Sequence, residues 1–245
     1  MSTPNAAIVV GVGAEAGLGG ALCKRFARGG LHVFAAGRTP TRLDALVAGI
    51  RGTGGTATAV ETDTTQEAHV LRLFDVAERA TGGPPAVVIY NAGNNAFVPF
   101  RETEAAFFED MWRVACFGGF LVGREATRRL GPVGRGTILF TGASGSLRGR
   151  PGFAHFAAAK AGLRMIAQAM ARELGPQGIH VAHVIIDGGI DGERLKTYAP
   201  QFVEAKGEGG MLDLDAIAET YWHIHTQHRT AWTHEVDLRP FKEPF

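Results

Sequence analysis

The chain has 245 residues, 45% of them hydrophobic and 20% charged, with a net charge of +1. That size and composition suit one globular domain with a sizeable core, and the balanced charge excludes a general attraction to nucleic acid or an anionic membrane. Two cysteines, Cys23 and Cys116, make no disulfide framework and suit a reducing, cytoplasmic setting; no apolar stretch of the roughly 18 residues that a span needs occurs, and MSTPNAAIVVGVGA lacks the basic start and unbroken apolar run of a secretory signal.

Short β-branched runs alternate with longer amphipathic stretches along the chain. Ala7–Val12 reads as a strand that passes through glycines into a helix over Leu18–Arg28. His32–Ala36 is a second strand, followed by a helix over Arg42–Ile50, and Thr56–Glu61 is a third, followed by a helix over Gln66–Ala80. Ala86–Tyr90 is a fourth strand, with two helices after it near Glu104–Arg113 and Gly119–Leu130. Gly136–Thr141 is a fifth strand, and the long helix Phe153–Leu174 stops at Gly175-Pro176. His180–Ile186 is a sixth strand. A glycine-rich stretch around Lys206–Gly210 precedes a helix over Asp213–His225, and Glu235–Leu238 reads as a last strand. Strands apolar throughout and separated by helices imply a parallel sheet covered on both faces. Right-handed crossovers make it an α/β, Rossmann-type doubly wound sheet, here as a single domain over residues 1–245.

The first strand runs into Gly11-Val12-Gly13-Ala14-Glu15-Ala16-Gly17-Leu18-Gly19 and then a helix. Glycines permit a tight turn and let the backbone approach a pyrophosphate, while the helix N-terminus favours the anion. The second strand ends Gly37-Arg38 with no carboxylate to bond a ribose 2′-hydroxyl, and the planar fork of Arg38 suits a 2′-phosphate instead. NADP(H) is therefore the expected cofactor and NAD(H) the lesser alternative, although Glu15 adds an opposing charge nearby.

The spacing Gly13-x-x-x-Gly17-Leu18-Gly19 resembles that of the short-chain dehydrogenase/reductase family. Asp63 after the third strand, Asn91-Ala92-Gly93 after the fourth and Lys160 on the long helix match further family motifs in order. The resemblance covers most of the chain and weakens after about residue 187. It implies hydride transfer to or from a small organic substrate. It also implies cofactor contacts from Gly13, Gly17, Leu18, Gly19, Asp63, Asn91, Ala92, Gly93 and Lys160, with Asp63 at the adenine ring.

The family's reaction rests on Asn, Ser, Tyr and Lys side chains, and this sequence departs from three of them. The asparagine position falls on Ala115, the serine position on Ala143 and the tyrosine position on Phe156; Lys160 remains. A phenyl ring has no ionisable proton. One reading is a reductase with a substituted donor, for which Lys160, Ser144, His155 and Asp187 are the catalytic candidates. A second is a substrate that needs no proton on oxygen, such as an iminium or an activated C=C bond. A third is a module that binds NADP(H) as a sensor or interaction protein without turnover. The long segment 188–212, in the position of the family's substrate lid, favours an enzyme. Phe97, Phe153, Tyr198 and Phe202 are candidates to line its pocket, and Tyr90, on an apolar strand, is expected to pack in the core. No metal site is expected. The apolar or alanine positions on nearly every side of Phe153–Leu174, with the resemblance, lead us to expect a homodimer or homotetramer.

Overall fold

The computed structural model describes residues 5–93 and 95–244. Its centre is a seven-stranded sheet in the order β3-β2-β1-β4-β5-β6-β7. The strands are β1 (Ala6–Val10), β2 (His32–Gly37), β3 (Ala57–Glu61), β4 (Val87–Tyr90), β5 (Gly136–Thr141), β6 (Ile179–Ile186) and β7 (Glu235–Leu238). Every pairing is parallel. Side chains alternate between two cores, as strand geometry requires. Ala7 and Val9 enter one core with residues of α1 (Leu18–Arg28), α2 (Pro40–Gly52) and α9 (Leu214–His225). Ile8 and Val10 enter the other with α3 (Glu67–Thr81), α5 (Gly118–Leu130) and α6 (Ala154–Leu174). The strand order reverses between β1 and β4, which opens a crevice at the carboxyl ends of those strands.

The structure departs from the expected elements where a local device overrides the apolar pattern. β1 stops at Val10, two residues early, because Gly11 turns at φ +87° and both Gly11 and Val12 donate to the Ala36 carbonyl at 3.0 Å. α2 starts at Pro40, whose missing N–H costs nothing in a first turn. The two helices expected after β4 form one continuous run: α4 (Ala105–Trp112), a π-helical turn over Arg113–Phe117, then α5. The Tyr90 hydroxyl donates to the Val114 carbonyl and takes it from the helical ladder, which accounts for the wider turn. A Cβ at Gly118 would lie 2.5 Å from that hydroxyl, so only glycine admits the approach. Tyr90 is fully buried, in the core as expected.

Segment 188–212 is not the open glycine-rich stretch its composition suggests. It holds two short helices, α7 (Glu193–Tyr198) and α8 (Pro200–Lys206). Its root is tied down by the Glu193 N–H, which donates to the Ala16 carbonyl in the glycine loop at 2.8 Å, and by an isolated bridge between Ile190 and Leu212.

Candidate active site

The crevice between β1 and β4 is built mainly from backbone. A Cβ at Gly11 would lie 2.4 Å from the Ala92 nitrogen, so the first loop and the Asn91-Ala92-Gly93 loop touch. A Cβ at Gly19 would lie 2.9 Å from the Gly11 carbonyl oxygen, so α1 packs directly on the turn. A Cβ at Gly13 would meet nothing within 4 Å, which leaves room over the loop. Gly17 caps α1 in extended conformation, ahead of Leu18. Asn91 donates from its side chain to the Gly11 carbonyl at 3.4 Å and from its backbone to Val10 at 2.9 Å, fastening the two loops. These residues fit a dinucleotide: an uncrowded glycine backbone, an eleven-residue helix starting there, and a close strand–helix junction.

Charges at the edge of the crevice agree with that fit. Arg38 is exposed just past β2. Asp63 is partly buried, which raises its pKa, but the Thr65 N–H and hydroxyl, donating at 2.9 and 2.8 Å, and the nearby Arg38 and His69 outweigh burial and hold the carboxyl below its ordinary value. Glu15, which the sequence set against a phosphate, turns to Lys24 at 2.8 Å and is thereby compensated.

At the β5–α6 side the picture is different. Lys160 is 4% exposed, and its ammonium donates to the Thr141 carbonyl at 2.8 Å. A Cβ at Gly93 would lie 3.1 Å from its Nζ, so Lys160 reaches the Asn91-Ala92-Gly93 loop. Burial pulls its pKa down to about 8, with the Cys116 thiol opposing. The Phe156 ring, one turn earlier on α6, has its centroid 5.9 Å from that Nζ. Ala143 and Ala115 are both buried. The surface beside Lys160 thus carries phenyl and methyl groups at the positions where the family resemblance led us to look for acid, carbonyl holder and relay.

Two expected proton donors are buried, His155 with no hydrogen-bond partner on either ring nitrogen among the described residues and Asp187 in an ion pair. His155 is not a surface residue: it is fully buried with its ring 4.9 Å from that of Phe107 on α4, and burial lowers its pKa. Asp187 is 1% exposed, and both carboxylate oxygens accept from Arg148 at 3.0 and 2.9 Å while Arg239 also donates to one of them. It is an anchor between β6 and the C-terminal segment rather than an available acid. Ser144 is half-buried and opens a single turn, Ser144–Ser146, directly after Ala143. Of the lid aromatics, Phe97 meets Phe153 edge-on at 5.8 Å, Phe202 lies against Gly189, and Tyr198 is 80% exposed.

One group was not expected as a unit. Ser146 is buried, and its hydroxyl lies 3.3 Å from His183 Nε2 on β6. His183 Nδ1 lies 3.1 Å from Glu235 on β7, and Arg164 on α6 forks that carboxylate with two bonds of 2.7 Å. The signal was a pair of histidines, His180 and His183, inside the otherwise apolar strand IHVAHVII. A cavity of about 660 Å³ lies at the opposite, amino-terminal end of the sheet, lined by residues such as Pro85, Gly136 and His180. None of the crevice residues borders it. Among the described residues no cluster of three or more His, Cys, Asp or Glu side chains is arranged to hold a metal, and no helix is long and apolar enough to cross a membrane.

Known proteins share this fold. The short chain dehydrogenase family model matches residues 6–201. An uncharacterized oxidoreductase of Bacillus subtilis, YuxG, is 30% identical over 212 residues; the match covers 85% of this chain but 30% of that one. So the chain spans about a third of that relative's length. The crystal structure of a short-chain dehydrogenase from Rhodopseudomonas palustris is 39% identical, with a TM-score of 0.82 over 97% of this chain and 99% of the other. An actinorhodin polyketide ketoreductase solved with NADPH, 19% identical, shares the fold at a TM-score of 0.89 over 100% and 99% of the two chains.

Proposed function

The chain belongs to the short chain dehydrogenase family, and from that premise we propose that it is an NADP(H)-dependent oxidoreductase in which Lys160 carries the proton that the family's tyrosine carries elsewhere. The substrate is a small organic molecule bearing a carbonyl, imine or activated C=C group. The observation that carries this reading is the placement of Lys160. It is buried, held on the Thr141 carbonyl at 2.8 Å, beside an unreactive Phe156 ring, and burial brings its pKa to about 8.

The bound cofactor supplies hydride. The glycine loop and the N-terminus of α1 would receive its pyrophosphate, and Arg38 would receive the 2′-phosphate that distinguishes NADP(H). The ketoreductase with the same fold was solved with NADPH. Phe156, Ala143 and Ala115 keep the surface beside Lys160 apolar, which disfavours water. For a carbonyl substrate the Lys160 ammonium donates one proton to the oxygen as carbon receives hydride, and the amine left behind is reprotonated from solvent. A group whose pKa lies near the working pH exchanges protons in both directions. The half-exposed Met165 on α6, with Phe120 on α5 and Trp112 on α4, also leads us to propose a homo-oligomer. Light scattering should give a multiple of 26.0 kDa.

NADPH oxidation over ketones, aldehydes, imines and activated alkenes tests the enzyme reading. Turnover of at least one class by the wild type, lost in Lys160→Met, supports it. Tight NADPH binding with no oxidation against any class would instead favour a sensor, the reading to which the apolar side chains of Ala115, Ala143 and Phe156 lend weight.

A further inference from the structure

The hydrogen-bonded group formed by Ser146, His183, Glu235 and Arg164 has one direction. A carboxylate only accepts, so His183 Nδ1–H donates to Glu235. His183 is fully buried, and burial, opposed by Glu235, brings its pKa to about 4, so the ring is neutral and Nε2 accepts from the Ser146 hydroxyl. The Ser146 oxygen in turn accepts the Ala143 N–H at 3.2 Å. At the far end the Arg164 fork holds the Glu235 carboxyl below its ordinary pKa. A neutral ring between a hydroxyl and a paired carboxylate is thus satisfied on both nitrogens.

Two features say what the chain of bonds does. A Cβ at Gly142 would lie 2.3 Å from His183 Nε2 and 3.0 Å from Ser146 Oγ, so the turn leaving β5 closes directly onto the imidazole. That same turn begins at Thr141, whose carbonyl accepts from Lys160, and passes through Ala143. Arg164 stands one helical turn beyond Lys160 on α6. The chain of bonds therefore links β5, β6, β7 and α6 around the residues that hold the lysine.

We propose that Arg164, Glu235, His183 and Ser146 are positioning residues: they clamp the Thr141–Ser146 turn and, through the Thr141 carbonyl, hold Lys160 in the dry place from which it transfers a proton. This rests on the assignment of proton transfer to Lys160. The clamp supplies order on a side of the site where alanines at 115 and 143 offer no polar grip. The groups that face Lys160 are the Cys116 thiol from the π-helical turn and His183 from β6; Glu235 acts on it through His183. Breaking the clamp frees the turn, admits water to the ammonium and raises its pKa toward the ordinary lysine range.

The test is an NMR titration of the Lys160 side-chain Cε in protein labelled biosynthetically with ¹³C-lysine, with Lys160→Arg locating the signal, beside kcat and NADPH affinity. His183→Leu fills the space without the bonds, and Ser146→Ala removes one oxygen. In both variants the Lys160 titration should move up, more in His183→Leu. There kcat should fall about 10- to 100-fold and its pH dependence should move the same way, with NADPH affinity within about twofold. His183→Asn, whose amide can still donate to Glu235, should recover part of the shift. The NMR readout needs no substrate, so it decides the clamp even if no substrate is turned over. If His183→Leu does not fold, Ser146→Ala decides alone. An unchanged Lys160 titration in the folded variants would overturn the proposal.

Discussion

The two sides of the crevice are made of different material. On the β1–α1–β2 side the crevice is mainly backbone, with glycines that let loops touch and a helix end, and the Arg38 side chain is exposed at its edge. On the β5–α6 side the working parts are side chains, and there phenyl and methyl groups stand beside a lone buried lysine. A backbone site tolerates little change because its atoms are also the fold's own atoms. A side-chain site can change one group at a time while the scaffold persists.

Substitutions can set the two sides against each other. The largest effect is expected from Gly11→Ala, which places a Cβ 2.4 Å from the Ala92 nitrogen at φ +87°. Strain and overpacking should cost about 2–6 kcal/mol of stability, read as a lower urea midpoint. Gly13→Ala, whose Cβ meets nothing, should leave that midpoint unchanged and weaken NADPH alone. A normal midpoint for Gly11→Ala would deny that loop its double role.

Next is Lys160→Met. It should lower kcat about 10²- to 10⁴-fold, the range of a lost general acid. In the wild type, reduction should fall as pH rises through about 8, because the donor ammonium is then lost. The same group leaves a mark on stability. Its folded pKa lies below the unfolded value of about 10.4, so the unfolded chain binds more protons between about 8 and that value. Stability should rise with pH across that window, and Lys160→Met should remove that contribution to the slope.

Arg38→Ala should weaken NADPH binding about 10- to 100-fold, the worth of a charge-assisted contact, and leave NADH nearly unchanged. Equal losses for both would place Arg38 away from the 2′-phosphate. The smallest effect is expected from Phe156→Tyr, which should bring little or no gain in ketone reduction because Ala143 and Ala115 remain. Combining it with Ala143→Ser should gain more than either alone, since an acid and a carbonyl holder act as a unit. A strong rise from Phe156→Tyr by itself would show an otherwise complete carbonyl site.

The backbone side was legible in the sequence for the same reason that it is rigid. Glycine spacing, strand ends and the Gly37-Arg38 junction are local patterns, and local patterns survive without knowledge of tertiary contacts. What escaped depends on side chains meeting across the sheet. The Asp187 carboxylate looked like an acid until Arg148 and Arg239 closed on it. His155 looked like a candidate donor until Phe107 covered it. The join between α4 and α5 was hidden because a tyrosine hydroxyl on β4 causes the π-helical turn. The two short helices of segment 188–212 were hidden by its glycines.

A crystal structure of the NADP⁺ complex tests most directly whether proton transfer falls to Lys160. Lys160 Nζ should be the only ionisable side-chain group within hydrogen-bond reach of the space above the nicotinamide, with the Phe156 ring beside it and the Thr141 carbonyl still accepting from the ammonium. Another ionisable side chain in that space, or a Lys160 turned away from it, would contradict the assignment.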